Sequence, residues 1–222
     1  LKNENPDFSF FGVGGPGMIA EGFESLEDIE NLSVIGFSQI LFKYLFLKKL
    51  LKKLVDEAIE RETRYAILID YPGFNLRLAK ALKENGIAVY FYVSPQIWAW
   101  RFKRIYFIQK HIDLMLVLFE FEKKIYDEYE IDCEFVGHPI VRRIHEKLLT
   151  EEKLKFKEDT IRICVMPGSR TSEIKRIFPV IIKFIPLIHD ELTSQGKKIQ
   201  FLLPNINKNA EEKIKLEIEK IN

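Results

Sequence analysis

Arg64-Tyr-Ala-Ile-Leu-Ile-Asp70 is a short apolar run that ends on a carboxylate and is broken at once by Pro72-Gly73. A run of this length without polar alternation predicts a strand buried on both faces of a parallel sheet. The period then changes. Apolar residues at 76, 78, 79 and 82 predict a helix over Leu76–Asn85, stopped by Gly86. Ile87–Val93 predicts the next strand, closed by Ser94-Pro95. Strand, helix and strand in immediate succession make a βαβ unit, so the sheet is parallel and carries its helices on its faces.

The alternation continues on both sides. Upstream, Phe8–Val13 predicts a strand running into a glycine-rich turn, Gly12-Val-Gly-Gly-Pro-Gly17. Downstream, helices are expected at Lys103–His111 and Glu120–Tyr129, and strands at Leu114–Leu118 and Cys133–Val136. A charged stretch, Glu151–Asp159, interrupts the pattern, which restarts with a strand at Ile161–Met166. Ser172–Leu192 then predicts a helix interrupted by Pro179 and Pro186, followed by a strand at Ile199–Leu203 and a helix at Asn209–Ile221. The fold expected is α/β, with two doubly wound Rossmann-like domains, 1–150 and 151–222, the second incomplete. The chain begins on Leu1 in mid-pattern and ends on a helix with no following element, which is expected of a fragment cut from a longer protein.

Composition narrows the class. The 222 residues are 47% hydrophobic and 30% charged, which excludes a disordered chain, a collagen-like repeat and a disulfide scaffold. Lys and Arg number 34 against 33 Asp and Glu, so the global basic field of a nucleic-acid binder is absent and no nucleic-acid partner is expected. Cys133 and Cys164 form no metal-spaced cluster, so free thiols and no metal are expected. No secretory leader is expected, because no charged segment followed by an apolar stretch is seen ahead of Phe8, and the longest apolar-leaning run, Leu32–Leu47, is interrupted by Ser38, Gln39 and Lys43 and does not read as a membrane span.

In open parallel sheets, ligands bind beyond the carboxyl ends of the strands. Those ends are Asp70, Ser94, Glu120, His138 and Ser169/Arg170. Asp70 is either a general base for an acceptor hydroxyl or the cap of the following helix. The loop Ser94-Pro-Gln-Ile-Trp-Ala-Trp-Arg101 is either a wall for a sugar or acyl ligand or a cover for the core. Met166-Pro-Gly-Ser-Arg170 is either a phosphate cradle at a helix N-terminus, with Arg170 as cation, or a plain turn with a Ser/Thr cap. His138 sits at a strand end before Pro139, where a lone His is more often structural than catalytic, and His111, His145 and His189 sit in helical patterns and carry no functional claim. Leu47, Leu50, Leu51, Leu54, Val55 and Ala58 share one helical face and Lys48, Lys49, Lys52 and Lys53 the other, next to an aromatic-rich segment. Either this is a surface helix packed on the sheet or, with more Phe and Leu than one face can bury, a membrane-surface element over roughly residues 35–58.

Together these stretches resemble the lipid-A-disaccharide synthase family of glycosyltransferases. The matching segments are Gly12-Val-Gly-Gly-Pro-Gly-Met18, Glu21-Gly-Phe-Glu-Ser25, Leu32-Ser-Val-Ile-Gly36, Ile69–Lys80, Tyr92–Arg101, Phe121-Glu122-Lys123, Phe135-Val-Gly-His-Pro139 and Met166–Arg170, in the family's order. The resemblance implies a glycosyltransferase of the B type. Its members join UDP-2,3-diacylglucosamine to lipid X (2,3-diacylglucosamine 1-phosphate), with inversion and release of UDP, as peripheral enzymes at the cytoplasmic face of the inner membrane. It implies no cofactor, Asp70 as the catalytic base, Asn75, Ser94, Trp98 and His138 in substrate binding, Gly168, Ser169 and Arg170 on the phosphates, and a homodimer formed through a C-terminal region that this chain lacks. Many relatives carry an acid where this chain has Gly73, and Glu where it has Gln39. The family's Gly-Glu-x-Ser-Gly-Asp loop and its late Ser-Gly-Thr-rich loop have no counterpart here, so 222 residues alone are expected to be inactive. Against this stand another B-type UDP-sugar enzyme, such as a MurG-like transferase or a UDP-N-acetylglucosamine 2-epimerase, and a non-catalytic membrane-surface module.

Overall fold

A computed structural model describes residues 8–28, 40–150, 159–204 and 208–219. The chain divides into two compact units, Leu1–Leu149 and Thr150–Asn222.

The first unit begins with β1 (Phe11–Gly14), α1 (Pro16–Ala20) and β2 (Glu24–Asp28), the two strands pairing in parallel. The expected glycine-rich turn is therefore half strand and half helix, with Pro16 at the first helical position, where a missing N–H costs nothing. The long helix α2 (Ile40–Glu60) follows. Then come β3 (Tyr65–Ile69), α3 (Pro72–Glu84), β4 (Ala88–Tyr92), α4 (Arg104–His111), β5 (Leu114–Val117), α5 (Glu120–Asp127), β6 (Cys133–Phe135) and α6 (Pro139–Thr150). Strands β3-β4-β5-β6 form one parallel sheet in sequence order.

That order has a physical consequence. Right-handed crossovers that all step the same way put their helices on the same face of the sheet. Leu68, Val89, Phe91, Met115 and Val117 point to the covered face and are buried with Leu76, Ala79 and Leu82 of α3 and Ile105 and Ile108 of α4. Each of these side chains larger than alanine stabilises the fold by about 1.5–3 kcal/mol. The other face is open among the described residues. Tyr65, Ile67 and Ile69 are each about half exposed, and Tyr65 finds only the Tyr90 ring, at 5.9 Å. The expectation that β3 is buried on both faces therefore holds for one face only.

On α2, Leu50, Leu54 and Ala58 are buried and Leu47, Leu51 and Val55 pack against the same core, whereas Lys48, Lys49, Lys52 and Lys53 are exposed. The apolar face of this helix is thus spent on the protein's own core, as in the packed-helix alternative. Of the aromatic-rich segment upstream, Ile35 and Phe37 lie outside the described residues, Tyr44 and Leu45 are exposed, and Phe46 packs against the core. No helix among the described residues is long and apolar enough to cross a membrane.

The second unit comprises β7 (Thr160–Cys164), α7 (Thr171–Ser194), β8 (Lys198–Leu202) and α8 (Lys208–Glu219), with β7 and β8 parallel. Ile174, Phe178, Ile182 and Ile214 form its core. Helix α7 runs through Pro179 and Pro186 instead of breaking at them. A second apolar stripe on it, Ile177, Val180, Phe184 and Leu187, is exposed.

Candidate active site

The site is built at strand ends. Asp70 prolongs β3 by one hydrogen bond, its N–H donating to Tyr92 O at 2.8 Å. The chain then turns sharply, with Asp70 at φ 48° and Tyr71 at φ 45°. Non-glycine residues in the left-handed region cost on the order of 1–3 kcal/mol each and persist only where the surroundings hold them. Here the holding group is Asn75, whose amide nitrogen donates to Ile69 O (3.1 Å) and Asp70 O (2.7 Å). Helix α3 is capped by Tyr71 without a side-chain hydrogen bond. Asp70 therefore does not serve as the helix cap. Its carboxylate is exposed, and no partner holds it among the described residues.

The loop after β4 opens on Val93 at φ 69°, with its N–H on Leu116 O at 3.1 Å. Ser94 is buried, and its hydroxyl bonds to Pro95 O (3.0 Å) and Tyr126 Oη (2.8 Å). The Ser94 side chain thus holds the loop from inside. Ile97 anchors the loop in the core, and Trp98 lies half exposed. From Trp98 a row of rings crosses the sheet's edge. Trp98 meets Phe121 edge-on at 5.2 Å, Phe121 stacks on Phe119 at 5.8 Å, and Phe119 faces His138 at 6.0 Å. His138 Nδ1 accepts the Ile140 N–H at 3.2 Å, at the start of α6. A neutral ring in that arrangement carries its proton on Nε2 and can donate it to a ligand. Trp100 is exposed, with the guanidinium groups of Arg101 and Arg104 over its ring at 4.7 and 5.3 Å.

Two residues at this edge had no role assigned from the sequence. Glu122 and Tyr126 of α5 are almost wholly buried. The Glu122 carboxylate accepts the Phe119 N–H at 3.2 Å. Burial pushes its carboxyl above the ordinary glutamate value, while hydrogen bonds from Phe119, the Trp98 indole and the Leu118 backbone pull the other way. Tyr126 is likewise raised by burial. The signal was an acid in the first turn of a helix that follows a buried strand, which is also how an ordinary capping residue looks.

In the second unit, the turn after β7 holds Gly168, Ser169 and Arg170. Gly168 sits at φ 112°, and a Cβ there would lie 2.8 Å from Glu173 Oε2 and 2.9 Å from Glu173 Cβ, so the position requires glycine. The N–H groups of Ser169 and Arg170 both donate to Glu173 Oε2 at 3.2 Å, and the Arg170 guanidinium meets Glu173 Oε1 at 2.5 Å. The cap of α7 is thus Arg170 with Glu173, not a Ser or Thr. Bonds from the Arg170 backbone and guanidinium hold the Glu173 carboxyl below the ordinary range. The turn does gather N–H groups and a cation around an anion, and in this structure the anion is the chain's own carboxylate. No cluster of three or more metal-ligating side chains occurs among the described residues.

Known proteins are similar to this sequence. The model of the family described as Lipid-A-disaccharide synthetase matches residues 1–222. The lipid-A-disaccharide synthase of Aliivibrio fischeri (strain MJ11) is 39% identical over 215 residues, which cover 96% of this chain and 55% of that protein. That of Hydrogenovibrio crunogenus is 37% identical over 221 residues, 98% of this chain and 58% of its own length. The lipid-A-disaccharide synthase 2 of Legionella pneumophila (strain Lens) is 38% identical over 207 residues, 92% of this chain and 53% of that protein. The chain spans a little over half the length of the curated relatives it matches, and it belongs to the lipid-A-disaccharide synthase family.

Proposed function

We propose that the protein carrying this chain transfers 2,3-diacylglucosamine from UDP-2,3-diacylglucosamine to the 6-hydroxyl of lipid X, giving a β-1,6-linked disaccharide and UDP. The observation that carries the mechanism is the exposed Asp70 carboxylate, unpaired among the described residues, on a backbone turn held by Asn75. In an inverting displacement the acceptor oxygen attacks the anomeric carbon from the side opposite UDP. The new C–O bond forms as the bond to UDP breaks, UDP leaves with the electron pair, and Asp70 takes the proton from the hydroxyl. Asn75 fixes the base, and Ser94 fixes the loop that presents Trp98. Trp98 and the neighbouring rings face sugar or acyl groups, and His138 donates from Nε2. The first unit is thereby the acceptor side. Gly168, Ser169 and Arg170 belong to the second unit, the donor side, and receive the diphosphate by displacing Glu173. Tyr44, Leu45 and the exposed lysines of α2 are the contact with an anionic inner-membrane surface on its cytoplasmic side, which both acylated substrates require.

Asp70→Asn tests this in the protein that carries these residues. It keeps the shape and removes the base, so kcat should fall by roughly 10²–10⁴-fold with KM little changed. Turnover within a few-fold of the parent would overturn the assignment.

A further inference from the structure

The mechanism above leaves the acceptor's own charge without a receptor. Lipid X carries one anionic group, the 1-phosphate, at the end of the sugar opposite the 6-hydroxyl that Asp70 deprotonates. The phosphate turn of the second unit serves the donor. A receptor for the acceptor belongs at a strand end beside Asp70, and β4 is the strand that pairs with β3.

The loop after β4 has the charge for this. Between Glu84 and Asp113 the chain contains no acid, and Arg101, Lys103, Arg104 and Lys110 all fall there. Arg61 is met by Glu24 and Glu57, Arg142 by Glu146 and Arg170 by Glu173. Arg101 and Arg104 meet no carboxylate among the described residues. What they share is the exposed Trp100 ring, with their guanidinium carbons 4.7 and 5.3 Å from its centre. A ring attracts a cation without neutralising it, and two like charges drawn to one ring repel each other. The pair is thus short of an anion, and each guanidinium keeps a planar fork of donors that matches a phosphate. The support is firm. Arg104 opens α4, which Ile105 and Ile108 anchor with no exposed surface. Phe102 and Tyr106 lean on Tyr129 at 5.5 and 6.0 Å.

We propose that Arg101 and Arg104, gathered on Trp100, receive the 1-phosphate of the acceptor and set the specificity for a phosphorylated sugar. This deepens the acceptor-side reading above and rests on it.

The test uses the protein carrying this chain, with lipid X and its dephosphorylated form, 2,3-diacylglucosamine, as acceptors in the same neutral detergent micelles. Arg101→Gln and Arg104→Gln should each raise KM for lipid X by roughly tenfold, with kcat little changed. Neither should alter KM for the dephosphorylated acceptor by more than about twofold. An equal rise with both acceptors would overturn the proposal and make the pair a support of the loop, and so would an unchanged KM for lipid X. Vesicles of phosphatidylglycerol separate phosphate recognition from attraction to an anionic bilayer. The double variant should bind them about as well as the parent does. Loss of vesicle binding with no change in acceptor preference would assign the patch to the membrane surface and overturn the proposal. A parent that uses both acceptors equally well overturns the phosphate site alone, whereas a parent that transfers to neither overturns the acceptor-side reading with it.

Discussion

The turn after β3 and the turn after β7 are the same device, a strand running into a helix, finished in opposite ways. At the first, Asn75 reaches back to the carbonyls of Ile69 and Asp70 and leaves a carboxylate exposed. At the second, Glu173 reaches back to the N–H groups of Ser169 and Arg170 and fills the turn with a carboxylate. The first turn is poised to take a proton. The second is assembled around negative charge before any ligand arrives, and a ligand must exchange with a group already there. Preorganisation comes at a different cost in each: backbone strain in one, competition in the other.

Replacing the tether breaks the comparison most strongly. Asn75→Ala removes two hydrogen bonds from a turn with consecutive left-handed residues, so kcat should fall by roughly tenfold or more as the base loses its position. Stability should drop by about 1–3 kcal/mol, read from urea unfolding. Next comes Gly168→Ala, which forces a Cβ against Glu173 at a φ of 112°. It should cost about 1–3 kcal/mol, felt in protease resistance of the second unit and not in the first. The smallest effect is that of Glu173→Gln. The Glu173 carboxyl is lowered in the folded protein, so its ionised form adds stability above the ordinary glutamate value, and that stability is lost as pH falls through the lowered value. The difference in unfolding midpoint between parent and variant should therefore shrink on acidification from pH 7 to pH 3. If Glu173 also competes with the diphosphate, Glu173→Gln should bind UDP more tightly. A weaker UDP complex would mean that Glu173 supports the ligand instead of yielding to it.

The central alternation from β3 to β6 was legible because its strands are short apolar runs and its helices keep the 3.6 period. Strand β2 was not. Glu24-Ser-Leu-Glu-Asp28 is polar, and its hold on the unit is long-range: Arg61 grips Glu24 at 2.7 and 2.8 Å and Lys53 donates to Leu26 O at 2.7 Å. The unbroken α7 was missed because local proline rules yielded to the packing of Ile174, Phe178 and Ile182. At the candidate site, strand ends named Asp70 and His138, and the two Trp in the loop after Ser94 singled out Trp98. The inward turn of Ser94 was hidden because its partner lies on a different element, Tyr126 being 32 residues from Ser94.

Cysteine shows the same limit. Composition gave two free thiols but not their difference. Burial pushes the Cys133 thiol up to about 12, whereas Cys164 is exposed. A disulfide reagent should label Cys164 and leave Cys133 until the first unit unfolds.

Val93 enters the aromatic loop at φ 69°, where glycine would rest without strain. A glycine would also admit many other backbone states, and each would have to be given up again whenever the loop ordered. A β-branched side chain has few alternatives to surrender. The strained residue thus makes the loop's entry stiff, and the entropy of arranging it is lost once, when the chain folds, instead of at each binding event.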